Sequence, residues 1–223
     1  MMKQEILNFQ FLNNNQDFFV SPKNKMAFDY VQRWPKWDAK VAYIYGPEKC
    51  GKTLMCHMWR DKSDAIFLDE NFLREFTSNR VNIEDVKNKN WIIDNIEFFL
   101  KKKFDEKILN LINIITTSKN SFVLITSKLV PKLLETNIKD LLSRLSSSFV
   151  IQVFEPDNEL LCKIIEKYLN DRSILISKKS LDYLALRIER SYKTAIEIAR
   201  KIDYSSMESH STINYNLLRT IID

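Results

Sequence analysis

The sequence predicts an α/β fold in which a five-stranded parallel sheet is wrapped by helices and followed by a small all-helical domain. Two observations lead there. Up to residue 154, short apolar runs rich in β-branched and aromatic residues alternate with amphipathic stretches; beyond "FEPD" (Phe154 to Asp157) only helical periodicity continues. A third observation locates the site: the only two glycines of the chain, Gly46 and Gly51, both fall in "YIYGPEKCGKTLM".

The strands expected in chain order are "VAYIYG" (Val41 to Gly46), "AIFLD" (Ala65 to Asp69), "WIIDNI" (Trp91 to Ile96), "FVLITS" (Phe122 to Ser127) and "FVIQVF" (Phe149 to Phe154). Helices are expected between them at Lys52 to Trp59, Glu70 to Phe76, Asp105 to Ile115 and Ile138 to Leu145. Strands apolar at nearly every position are buried on both faces, and intervening helices provide the crossovers that parallel strands need. Further on, "NELLCKIIEKYLND", "SKKSLDYLALRIER", "SYKTAIEIARKID" and "NYNLLRTIID" repeat apolar residues at three and four, with Asp157 and Ser177 placed to cap. The expected organisation is a tail over 1–16, an α/β domain over 17–154 and a helical domain over 155–223.

Composition narrows the function classes. A chain of 223 residues, 45% hydrophobic, can bury one sizeable core and a small appended one. Its net charge of +5 is modest and spread out, which argues neither for wrapping nucleic acid nor for coating a membrane. Three cysteines (Cys50, Cys56, Cys162) and two distant histidines (His57, His210) supply neither a disulfide framework nor a metal cluster. The N-terminus "MMKQEILNFQF" lacks an apolar leader and no run approaches the roughly 18 apolar residues that span a bilayer, so a cytoplasmic location is expected. "KKK" at Lys101 to Lys103 reads as a solvated face and "NNNQ" (Asn13 to Gln16) as a loop.

"GPEKCGKT" spans Gly46, Pro47, Glu48, Lys49, Cys50, Gly51, Lys52 and Thr53 and fits G-x-x-x-x-G-K-[ST], between the end of a predicted strand and the start of a predicted helix that continues with Leu54. Such a loop curls backbone N–H groups around phosphate oxygens, which demands conformations and close approaches that a Cβ obstructs. Lys52 then reaches the terminal phosphates, Thr53 holds Mg²⁺, and the helix N-terminus faces the anion. A chance glycine turn is the bland alternative. Asp94, at the end of the apolar run in "NWIIDNIEFF", is the expected second carboxylate for Mg²⁺; the alternative is a strand-end cap for the next helix.

The order of Phe19-Val20, "GPEKCGKT", "WIIDNIEFF", "FVLITSKLVPK", "LLSRL" and a closing helical lid resembles the AAA+ module of the bacterial initiator family DnaA. "SPKNKMAFDYVQRWPKW" leading to "GPEKCGKTLMCHMW" is similar to the Hda-type DnaA-related regulators of alphaproteobacteria. The resemblance implies an AAA+ P-loop domain with a lid, ADP or ATP between them, and Phe18, Phe19 and Val20 against the adenine. It also implies that Arg144 of "LLSRL" reaches into a neighbour's nucleotide site as an arginine finger; alternatively, Arg144 is an exposed arginine suited to a helix C-terminus. "QEILNF" fits the loose pattern Q-x-x-L-x-F, and the resemblance implies that Gln4, Leu7 and Phe9 dock on the sliding clamp of DNA polymerase III, with Glu5 where an apolar residue is common; alternatively the segment is a stray apolar edge strand.

Departures from that pattern concern turnover. Asn95 stands where DnaA has a second aspartate, and an amide is no general base. Lys128 takes the place of a polar or acidic residue that orients water or γ-phosphate, and Lys193 replaces an arginine, keeping charge but losing the planar fork. Glu97 is the remaining carboxylate that could assist. The expectation is a nucleotide holder with weak or no ATPase of its own that promotes hydrolysis of ATP on DnaA. Competing readings are an autonomous AAA+ ATPase, such as a helicase loader or another DnaA paralogue, and a P-loop small-molecule kinase. With no room for a helix-turn-helix after the lid, sequence-specific DNA binding is not expected, and homodimerisation is left open.

Overall fold

The computed structural model describes residues 18–76, 83–209, 213 and 215–222. Its strands are β1 (Val41–Tyr45), β2 (Ile66–Phe67), β3 (Trp91–Ile93), β4 (Val123–Ser127) and β5 (Phe149–Gln152). They form one five-stranded sheet in the order β2-β3-β4-β1-β5, with every neighbouring pair parallel. The helices of this part are α1 (Lys25–Gln32), α2 (Lys52–Ser63), α3 (Glu70–Phe76), α4 (Ile83–Lys87), α5 (Ile96–Lys101), α6 (Asp105–Thr117) and α7 (Lys139–Ser146).

Strand alternation divides the apolar residues between two layers. Val41, Tyr43, Trp91, Ile93, Val123 and Ile125 share one core with residues of α3 to α7. Ala42, Ile44, Ile92, Leu124 and Ile151 share the other with α1 and α2. The sheet is therefore covered on both faces, as continuous apolar strands require. α6 shows why its segment is a helix: Ile108, Leu111, Ile112 and Ile115, spaced by three and four, are its buried residues.

The predicted third strand overruns. β3 stops at Ile93, Asn95 takes a left-handed φ of 58° as the residue preceding α5, and Ile96 begins that helix. Ile96, Phe99 and Leu100 form the buried face of α5, so the apolar character that prolonged the strand prediction belongs to a helix. The second strand is likewise only Ile66–Phe67, and α1, α4 and α5 are helices the sequence reading did not include.

After β5 come α8 (Asn158–Asn170), α9 (Lys178–Ala185), α10 (Tyr192–Ser209) and α11 (Tyr215–Ile222). They close around Leu161, Ile165, Leu169, Leu184, Ala195, Ala199, Ile202 and Leu218. Asp157 accepts from the Leu160 amide at 2.9 Å and Ser177 from the Ser180 amide at 3.1 Å, the two caps foreseen. Leu160 and Tyr192 belong instead to the α1–α2 core, and so fasten the helical part to the sheet. No helix among the described residues is long and apolar enough to cross a membrane.

Asp157→Ala and Ser177→Ala are each expected to lower stability by about 1 kcal/mol, the usual worth of an N-cap, in urea denaturation. Asp157→Asn should retain most of it; unchanged midpoints in both alanine variants would contradict the capping role.

Candidate functional site

Register brings the site together. Ile44 of β1 lies opposite Thr126 of β4, and Ile93 of β3 opposite Ile125, so the residue following β3 meets Thr126. That residue is Asp94. Its Oδ1 accepts from the Thr126 hydroxyl at 2.5 Å and its Oδ2 from the Thr53 hydroxyl, in the first turn of α2, at 2.8 Å. The Asn95 amide donates back to Thr126 Oγ1 at 2.8 Å. Thr126 is fully buried, so its hydroxyl has a fixed place and fixes the carboxylate in turn.

The loop from Gly46 to Gly51 connects β1 to α2. A Cβ on Gly46 would lie 2.4 Å from the carbonyl oxygen of Val153, an atom that cannot withdraw because the Val153 amide is bonded to Tyr45 O at 2.7 Å. Gly51 has φ 89°, and a Cβ there would lie 2.6 Å from the Phe18 ring. Both glycines are thus required by contacts as well as by the loop's shape. The Lys52 ammonium donates to the carbonyls of Gly46 and Pro47 at 2.8 and 2.6 Å and lies 3.5 Å from Cys50 Sγ. Two carbonyls of the loop thus hold the side chain of the residue that begins α2. Burial pushes the Cys50 thiol up, which keeps it neutral within the loop.

A hydroxyl and a carboxylate are hard oxygen donors of the kind Mg²⁺ takes, directly or through water, and Thr53 Oγ1 and Asp94 Oδ2 stand 2.8 Å apart as a hydrogen-bonded pair. Among the described residues no group of three or more His, Cys, Asp or Glu could hold a metal by itself, so a metal here would complete its shell with phosphate and water.

Phe18 stacks on Phe28 with ring centres 5.4 Å apart, and Phe19 packs against the same core, while Val20 is exposed. The buried Asn24 shapes this segment: its Oδ1 accepts from Ser21 N at 2.8 Å and its Nδ2 donates to Phe19 O at 2.8 Å. Leu54 and Tyr192 join the same core. At the loop's tip, Glu48 pairs with Lys128 at 2.5 Å, Lys49 lies 3.9 Å from Glu197 of α10, and the charge of Lys193 acts on Glu48. The sequence reading named these lysines and Glu48 but neither Glu197 nor the pairings, because the pairs join residues far apart in the chain.

Glu97 is committed elsewhere. Its Oε1 accepts from Ser127 Oγ at 2.7 Å, Lys128 N at 2.6 Å and Leu129 N at 3.3 Å, while Oε2 is buried without a hydrogen-bond partner. Arg144 lies in the last turn of α7, about half exposed, 3.6 Å from Asp140 one turn earlier. Gln4, Leu7 and Phe9 lie outside the described residues. In the lysine run, Lys102 pairs with Glu70 and Lys101 is exposed, as a solvated face would be.

Structural similarity decides the fold family. Domain III of the replication initiation protein DnaA from Thermotoga maritima superposes with a TM-score of 0.75 over 93% of this chain and 94% of its own, at 18% identity. The chain has the fold of that DnaA domain. AMPPCP-bound DnaA from Aquifex aeolicus matches with a TM-score of 0.72 over 89% of this chain and 68% of its own, at 19% identity. In sequence, DnaA of Buchnera aphidicola (subsp. Cinara cedri) is 25% identical over 235 residues, covering 96% of this chain and 52% of that protein. The chain thus spans about half the length of the DnaA relatives it matches. An uncharacterized protein of Haemophilus influenzae is 21% identical over 190 residues, 81% of this chain and 80% of its own length. No family model matches.

Of the two glycines, Gly46 meets the less yielding obstacle, a backbone carbonyl. Gly46→Ala is expected to cost about 1–3 kcal/mol, because backbone rather than a flexible side chain obstructs it, and to lower the Tm by several degrees in a circular-dichroism melt. A melt superimposable on wild type would contradict the contact with Val153.

Proposed function

We propose that the chain is an Hda-like, DnaA-related regulator of replication initiation. It holds ADP or ATP with Mg²⁺, docks on the DNA polymerase III sliding clamp through Gln4, Leu7 and Phe9, and promotes hydrolysis of ATP on DnaA through Arg144. The observation that carries the nucleotide part is the hydroxyl–carboxylate pair of Thr53 and Asp94 at the mouth of a loop that already grips the Lys52 ammonium. The low-identity relationship to DnaA supports the choice of process.

The residues divide the work. Lys52 and the α2 N-terminus bind phosphate; Thr53 and Asp94 position the metal, which when bound neutralises phosphate charge. Asn95 offers only an amide next to Asp94, and Glu97 spends Oε1 on three donors, which supports holding nucleotide over rapid turnover. Arg144 presents its guanidinium at a helix end, about half exposed and 3.6 Å from Asp140, where it can add charge stabilisation to a phosphoryl transfer in a partner's site.

Lys52→Ala should abolish nucleotide binding. At a ligand concentration of ~100 times Kd the wild type gains about 2.7 kcal/mol from a bound ligand, so its Tm should rise with ADP or ATP while that of Lys52→Ala should not. An equal rise in both would refute the P-loop reading.

Arg144→Ala should fold, bind nucleotide and bind the clamp, yet stimulate hydrolysis by DnaA at least ~10³-fold less than wild type. Single-turnover hydrolysis of labelled ATP on DnaA, with clamp-loaded DNA present, measures this. The double variant Leu7→Ala, Phe9→Ala should lose clamp binding alone. Near wild-type stimulation by Arg144→Ala would exclude the finger, and rapid turnover by the chain by itself would favour an autonomous ATPase.

A further inference from the structure

Charges scattered along the chain are gathered by its topology. Every strand of the parallel sheet starts at one end, opposite to the end that carries the P-loop, Asp94 and Lys128. In the spatial order β2-β3-β4-β1, the segments leading into the strands bring Lys62, then Lys87 and Lys89, then Lys119, then Lys36 and Lys40. Hydrogen bonds tie these segments into one surface. Asn90 Nδ2 donates to Ser63 O at 2.9 Å while its Oδ1 accepts from Phe122 N at 3.1 Å. Ser118 Oγ donates to Lys87 O at 2.6 Å, and Val123 N donates to Lys40 O at 2.9 Å.

Part of this charge has a local duty. Helices α1, α2, α4 and α6 end here, and cations suit the negative pole of a helix. The Lys62 ammonium donates to Gln32 O at 3.3 Å and that of Lys40 to Lys119 O. Asp38 pairs with Arg33, Asp61 with Arg60 and Glu84 with Lys87. Lys36, Lys89 and Lys119 are left over, all exposed, against Asp64 among the described side chains.

We propose that this row of lysines docks on the phosphate backbone of duplex DNA, without regard to base sequence. Three spacings of about 4.8 Å between neighbouring strands make the row roughly 14 Å long. At ~3.4 Å per nucleotide that length matches about four phosphates of one DNA strand. A lipid surface or a protein partner takes apolar anchors. Of the large hydrophobic side chains exposed among the described residues, Ile66 alone lies at this end. A phosphate backbone needs no such anchor, only fixed positive charge that displaces its counterions. The row lies across the sheet from the P-loop, so the inference goes beyond the nucleotide-binding reading and does not depend on it.

The test is fluorescence anisotropy of a labelled 20-base-pair duplex of arbitrary sequence, with ADP and Mg²⁺ present, titrated with the full chain between 50 and 200 mM KCl. Three to four phosphate contacts predict that affinity falls by roughly 40- to 150-fold over that range. The triple variant Lys36→Gln, Lys89→Gln, Lys119→Gln should bind at least ~10-fold more weakly at 50 mM KCl, with a salt slope smaller by about 2–3. The control Lys132→Gln, Lys178→Gln, Lys179→Gln removes the same charge from exposed positions elsewhere and should bind as wild type does. All six side chains are exposed, so matching melts are expected, and Lys89→Gln alone should still weaken binding. Equal weakening in the two triple variants overturns the assignment to this row, as does wild type that fails to bind the duplex at 50 mM KCl. Retention on anionic vesicles that only the first triple variant loses, without duplex binding, overturns it in favour of a lipid surface.

Discussion

The Asp94 carboxylate takes hydroxyl hydrogen bonds from two sides, Thr53 at 2.8 Å and Thr126 at 2.5 Å, and the arrangement of the site depends on its doing so. Those hydroxyls belong to the first turn of α2 and the end of β4, elements that meet only because β3 and β4 pair in parallel with Ile93 opposite Ile125. Slipping that pairing by one residue would invert every side chain of β3, sending Ile92 and Ile93 to the wrong cores and Asp94 away from Thr126. Both faces of β3 and β4 are buried, so such a slip would exchange side chains between two packed layers and misfit them there, at about 1–3 kcal/mol each. The two packed layers therefore help to set the position of that carboxylate.

The same sheet dictates the loop. β5 pairs with β1 on the side away from β4, and its continuation brings the Val153 carbonyl up to Gly46, while the Val153 amide bonds to Tyr45 O. Phe18 closes the other end of the loop against Gly51 and is itself stacked on Phe28 of α1. A loop so gripped at both ends needs little further ordering when an anion arrives, which lowers the entropic cost of binding. Tyr192 shares a core with Cys50, and Lys49 faces Glu197, so the helical domain abuts the loop rather than standing apart from it.

Much of this was legible in the sequence because the pattern was local. Five apolar runs, the G-x-x-x-x-G-K-[ST] spacing, and the caps at Asp157 and Ser177 each depend on neighbouring residues, and all stand in the structure. "WIIDNIEFF" misled because it contains two buried patterns joined end to end: a strand of period two and a helix with apolar residues at 96, 99 and 100. The break between them is the left-handed Asn95, a conformation asparagine tolerates but does not announce. The partners of Asp94, Glu48 and Glu97 were illegible for another reason. Each pair spans between about 30 and 80 residues of chain, and only the strand register brings them together.

That pattern of partners bears on what chemistry the site can perform. A general base must reach a water with a lone pair to spare, at about 2.6–3.2 Å. Asp94 has both oxygens engaged by hydroxyls, and these are exchanged for a metal shell if Mg²⁺ enters, leaving it no basic role. Glu97 holds the end of β4 through Ser127, Lys128 and Leu129, and its other oxygen is buried. Glu48 is bound to Lys128, which holds its carboxyl in the charged, weakly basic form. Asp94, Glu48 and one oxygen of Glu97 are thus engaged by protein donors, while Glu97 Oε2 is buried without one. Lys52, Thr53 and Asp94 are held by the fold itself, through the carbonyls of Gly46 and Pro47 and the hydroxyl of Thr126.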